Sequence, residues 1–84
     1  MNNKVLVIVY IPTIEKKYEV FIPIGKKVHT ICKYLVKLIA ELSNGELETG
    51  KLFALYSKET GLMYDYNAII KESDIRNGNE LILI

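Results

Sequence analysis

Apolar and polar positions change period along this chain, and each change marks a new element. Lys4-Val5-Leu6-Val7-Ile8-Val9-Tyr10-Ile11 is a β-branched and aromatic run with almost no polar residue. Such a run is a strand covered on both faces or lying in the middle of a sheet. Pro12 and Thr13 end it, since proline cannot donate to a ladder. Residues 17–24 then alternate: Tyr18, Val20, Ile22 and Ile24 fall on one face, Lys17, Glu19, Phe21 and Pro23 on the other. That is a half-buried strand, and Pro23 places it at an edge. The two runs lie close enough for an antiparallel hairpin.

After the Gly25-Lys26-Lys27 turn the period becomes helical. Val28, Ile31, Leu35, Leu38 and Leu42 follow 3-4-3-4 spacing, with Cys32 and Ile39 widening the stripe, so a helix is predicted over 28–43. Asn44-Gly45 is its stop. The outer face carries Thr30, Lys33, Lys37 and Glu41, and Lys37 with Glu41 has i,i+4 pairing distance. Lys27 stands where a capping Ser, Thr or Asp is expected, and nothing in the sequence accounts for that. Beyond a polar connection, residues 52–57 read as a third strand, 58–61 as a turn and 62–64 as a short fourth strand. Residues 65–77 are irregular, with Ile70 and Ile75 as anchors. Asn77-Gly78-Asn79 is a strong turn, and 80–84 form the last strand. A hairpin, one helix and further strands make an α+β domain, a mixed sheet of four or five strands packed on the helix.

Composition narrows the function more than the fold. The 84 residues are enough for one core, so residues 1–84 are expected to form a single domain. Half are apolar and a quarter charged, as in soluble globular chains. The formal charge of +1 with interspersed signs gives no basic footprint for nucleic acid and none for anionic lipid. No apolar run approaches the ~20 residues that cross a bilayer, so direct membrane insertion is not expected. The 5–11 segment lacks a signal peptide's cleavage site and is rich in β-branched residues. The lone Cys32 cannot form an internal disulfide and suits a reducing, cytoplasmic setting.

The spacing of the apolar anchors resembles that of ubiquitin-like β-grasp domains across nearly the whole chain. Ile22, Val28, Ile31 and Leu35 resemble the end of the hairpin and the first core residues of that family's helix. Leu55 and Leu62 resemble the leucines flanking its third-strand turn, and Ile70, Ile75, Leu81 and Leu83 resemble the ladder that closes its core. The stretch from Leu62 to Ile70 is about two residues longer than ubiquitin's. The ending Asp74-Ile75-Arg76-Asn77-Gly78-Asn79-Glu80-Leu81 is similar to the EsaB/YukD group. These small proteins accompany type VII secretion machines in Gram-positive bacteria. That likeness implies a cytoplasmic accessory or regulatory protein that is not conjugated, and the Lys-, Asn- and Ile-rich usage accords with a low-GC bacterium.

Candidate chemistry is sparse. Ubiquitin and the related sulfur carriers act through a free diglycine carboxylate, whereas this sequence closes on Leu81-Ile82-Leu83-Ile84. Use as a covalent carrier or modifier is therefore the alternative reading, disfavoured by the missing diglycine. His29 and Cys32 lie three apart on the helix, in reach of a metal pair or an activated thiolate. With no further ligand or base beside them, Cys32 reads as a small core hydrophobe and His29 as a first-turn surface residue. The carboxylates Glu46, Glu48, Glu59, Asp65, Glu72, Asp74 and Glu80 sit in turns or strand ends, and the five glycines are single turn residues. No cofactor and no catalysis are expected.

The outer face of the sheet carries the functional expectation. If Leu55, Leu81 and Leu83 meet the helix, alternation turns Ala54, Tyr56, Ile82 and Ile84 outward. The first strand then sends either Leu6, Ile8 and Tyr10 or Val5, Val7 and Val9 the same way. The expected protein-binding set is Ala54, Tyr56, Ile82 and Ile84, with Ile8 from the first strand. Apolar patches of this kind mark interaction surfaces. The expected partner is another protein, with homodimerisation through the same face as the competing reading.

Overall fold

A computed structural model describes residues 3–84. In chain order the elements are β1 (Lys4–Ile11), β2 (Lys16–Pro23), α1 (Val28–Leu42), β3 (Leu55–Ser57), a single 3-10 turn (Ile70–Glu72) and β4 (Glu80–Leu83). They form one sheet in the order β2-β1-β4-β3, with α1 against one face. β1 and β2 make the expected antiparallel hairpin, β1 and β4 run parallel, and β3 pairs antiparallel to β4. The long apolar run is thus an interior strand, and the strand bearing Pro23 is an edge, as the composition of each requires.

Burial decides the orientation of β1. Val7, Val9 and Ile11 are fully buried, so Leu6, Ile8 and Tyr10 face away from the helix. The core joins these three to Val20, Ile22, Leu55, Leu81 and Leu83 from the sheet and to Val28, Ile31, Cys32, Leu35 and Ile39 from α1. Leu47, Phe53, Ile70 and Ile75 enter it from the connections. The helical stripe therefore differs from 28-31-35-38-42. A straight helix drifts about 20° per heptad against a 3.5-residue repeat, which carries Leu38 to the flank and brings Cys32 and Ile39 to the centre. Leu42, in the last turn, is exposed. The expected Lys37–Glu41 pair is not formed, consistent with the small energy of exposed i,i+4 pairs.

The uncapped entry of α1 has a tertiary explanation. No side chain caps it. Instead the Val28 amide donates to the Ala68 carbonyl at 2.9 Å and the His29 amide to the Tyr66 carbonyl at 3.1 Å. The connection before the 3-10 turn thus accepts two of the donors that a helix start leaves unpaired. It is fixed in turn by Ile70, whose amide bonds the Lys26 carbonyl at 3.0 Å, and by Lys71, whose amide bonds the Ile24 carbonyl at 2.9 Å.

Two strand expectations are corrected. The third strand begins at Leu55 rather than at 52. Ala54 still exchanges two backbone bonds with Ile84, but the carbonyl of Phe53 accepts the Tyr66 hydroxyl while its ring enters the core. The fourth strand, 62–64, reduces to an isolated bridge between Met63 and Tyr56. At Asp65 the chain turns away, because its carboxylate accepts the Asn67 amide at 2.8 Å and its carbonyl accepts that of Ala68. Leu62, matched above to a leucine flanking the family's third-strand turn, is 69% exposed beside the left-handed Gly61.

Candidate protein-binding face

Strand register brings four of the five expected residues together on the face opposite the helix. Tyr56 pairs with Ile82, and Ala54 lies opposite Ile84. Cross-strand neighbours of this kind share a face and touch. The row continues in both directions. Ile82 pairs with Tyr10 of β1, and Tyr56 bridges Met63, which is 58% exposed. Tyr10, Ile82, Tyr56 and Met63 thus form an apolar row across three strands and the bridged edge. Ile84, 44% exposed, and Ala54 lie one row further on.

Ile8 is placed differently. It faces outward, but its partners are Glu19 on β2 and Glu80 on β4, so it sits in a charged row. Glu80 is the centre of that row. The ammonium groups of Lys17 and Lys58 approach its Oε2 at 3.2 and 3.1 Å from opposite sides of the sheet. That oxygen is shielded from solvent, and the two ammonium groups balance its charge. Lys58 and Lys17 hold the Glu80 carboxyl below its ordinary range. The resulting ionic belt separates the Tyr10–Ile82–Tyr56 row from Leu6 and the exposed Phe21, which pair on its other side. Tyr10 rather than Ile8 is therefore the β1 member of the continuous patch. Alternation had offered Tyr10 as one of two faces, whereas the role of Met63 depends on the bridge to Tyr56 and had no signal of its own.

Cys32 is 5% exposed, and burial pushes its thiol up to about 11, away from the thiolate that nucleophilic chemistry needs. The His29 ring contacts the Thr30 hydroxyl at 3.4 Å. Among the described residues no three His, Cys, Asp or Glu side chains gather as metal ligands, and no helix is long and apolar enough to cross a membrane.

No protein-family model and no curated protein matches the sequence. Solved structures match the fold closely. A chain of the MycP5-free ESX-5 inner membrane complex superposes with a TM-score of 0.81 at 20% identity over 99% of this chain. This chain spans only 21% of that one's length. The EccD5 ubiquitin-like domain from Mycobacterium xenopi gives 0.79 at 13% identity, covering 99% of this chain and 94% of its own. The ubiquitin-like domain of the Mycobacterium tuberculosis type VII secretion system protein ECCD1 gives 0.75 at 12% identity, covering 100% and 99%. The fold is also matched outside secretion, in a toluene 4-monooxygenase complex. The chain has the ubiquitin-like β-grasp fold, four mixed strands on one helix, in a form similar to the ubiquitin-like domains of type VII secretion EccD proteins.

Proposed function

We propose that residues 1–84 act as a single ubiquitin-like adaptor, a cytoplasmic accessory or regulatory component of a type VII secretion system that binds a protein partner and catalyses nothing. The observation that carries this reading is the apolar row Tyr10–Ile82–Tyr56–Met63 with Ile84 and Ala54 beside it, on a sheet face that no helix or strand among the described residues covers. Tyrosines with an apolar ring and a polar tip suit the centre of such an interface. The ionic belt around Glu80 bounds the patch on one side and sets a polar rim, the usual anatomy of a protein-binding surface. Support for the secretion context comes from the EsaB/YukD likeness of residues 74–81 and from the fold similarity to EccD domains.

The test is a pull-down from lysate of the native host, comparing wild type with Tyr56→Asp and Ile84→Asp and read by mass spectrometry. Both variants are first checked for a native circular dichroism spectrum. The proposal expects a secretion component with the wild type and its loss with both variants. Recovery of the same partner by a folded Tyr56→Asp protein would remove the face from the account, and recovery of the chain alone would assign the face to a homodimer.

A further inference from the structure

A concavity lies away from the sheet's outer face, between α1 and the connection that precedes β3. It is a groove of about 770 Å3. His29, Cys32, Val36 and Ala40 line it along the helix, and Phe53 and Tyr66 along the other side. Residues 29 to 41 of the helix run its length, a rise of about 18 Å, enough for about five residues of extended chain.

Three features of the groove point to one kind of occupant. The first is charge. Lys33 and Lys37 on one wall and Lys51 on the other line it with a single carboxylate, Glu41, and among the described residues none of the three lysines is in an ion pair. Lys51 instead holds its ammonium 4.9 Å from the centre of the Phe53 ring. The second is apolar exposure. Leu52 is 84% exposed at the rim, and its neighbour Phe53 is buried in the floor. The third is unpaired backbone. Among the described residues, the amides of Lys51, Leu52 and Phe53 have no backbone partner, whereas those of the following Ala54 and Leu55 segment join the sheet. An extended segment beside this wall would lie next to amide donors that the chain's own backbone leaves unpaired, the kind of group that strand addition uses. Its apolar side chains meet Val36, Ala40 and Leu52, and its carboxylates meet the lysines.

We propose that this groove binds a short extended peptide segment of a partner protein, carrying apolar anchor side chains flanked by carboxylates. This is a second surface, independent of the outer sheet face. A partner that reaches both surfaces through one linker gains affinity from effective concentration without a new contact.

The proposal is tested with fluorescein-labelled synthetic peptides of about eight residues, two leucines flanked by aspartates, and a counterpart with lysines replacing the aspartates. Binding is measured by polarisation, and the site is mapped by amide chemical shifts on labelled protein. The acidic peptide is expected to bind saturably, to shift Val36, Ala40 and Leu52, and to leave Ile82 unmoved. The basic peptide and the Lys33→Glu, Lys37→Glu double variant are each expected to weaken binding by about ten-fold or more. Both lysines are exposed, so the variant keeps the fold. Tyr56→Asp is expected to leave the affinity unchanged, which separates failure of this proposal from failure of the sheet-face reading. No saturable binding, equal binding of the basic peptide, or shifts centred on Ile82 would overturn it. Full displacement by dodecanoate at equal concentration would overturn it in favour of an amphiphilic lipid.

Discussion

Replacing Ile70 by valine should loosen the start of the helix from a position that makes no helical turn with it. Ile70 is fully buried, and its amide and that of Lys71 tie the 65–72 connection to the Lys26 and Ile24 carbonyls. That connection supplies the Ala68 and Tyr66 carbonyls that accept the first two helical amides. Ile→Val in a core costs about 0.5–1.5 kcal/mol. Each kcal/mol lowers the melting temperature of a domain this size by about 4–8 °C. Alanine would cost about 2–5 kcal/mol, comparable to the whole net stability of about 3–5 kcal/mol expected of so short a domain, and global unfolding would hide the local effect. Thermal melts followed by circular dichroism give the size of the loss. Amide hydrogen exchange gives its location: Val28 and His29 should accelerate more than Ile39, whose bonds lie within the helix. An unchanged melt, or equal acceleration from Val28 to Ile39, would show that the connection does not cap the helix.

Three further outcomes follow from single sites. Gly78 has φ +86, so Gly78→Ala should cost about 1–2 kcal/mol and lower the melting temperature by several degrees; an unchanged melt would mean that the turn relaxes freely. Since Lys58 and Lys17 depress the Glu80 carboxyl, its contribution to stability is complete above the ordinary carboxylate pKa and is lost as pH falls through the lower folded value. Melts between about pH 5 and 3 should therefore show a shallower acid loss in Glu80→Gln than in wild type, and identical slopes would remove the ion pairs from the account. With its thiol pushed up to about 11, Cys32 should resist iodoacetamide near neutral pH until denaturant is added, and native labelling at the rate of a free thiol would contradict its burial.

The fold was largely legible because its periods are strong. An eight-residue β-branched run, a strict alternation containing Pro23 and a helical stripe each admit few environments, and they give the hairpin, the edge and the helix face directly. What could not be read depended on contacts between distant residues. The helix entry has no local signal because its cap is made of two carbonyls some forty residues away in sequence. The third strand starts late, at Leu55, because the Phe53 carbonyl is taken by Tyr66, which alternation cannot reveal. The outward residues Ala54, Tyr56, Ile82 and Ile84 followed from period two alone. The partition of that face did not: Ile8 falls in the charged row and Tyr10 in the apolar one through the parallel register of β1 against β4, which is set by the turn at residues 77–79. There the Leu6 amide donates to the Asn77 side chain at 2.7 Å, and its carbonyl accepts the Gly78 amide at 2.8 Å.

The central claim is that the Tyr10–Ile82–Tyr56 face meets a protein partner. The most direct measurement places a photo-crosslinking amino acid at Ile82, irradiates cells of the native host and identifies the adducts by mass spectrometry, with the same probe at exposed Glu72 as the comparison. The account predicts an adduct with a type VII secretion component at Ile82 and none at Glu72. No adduct at Ile82, or the same adducts at both positions, would contradict it.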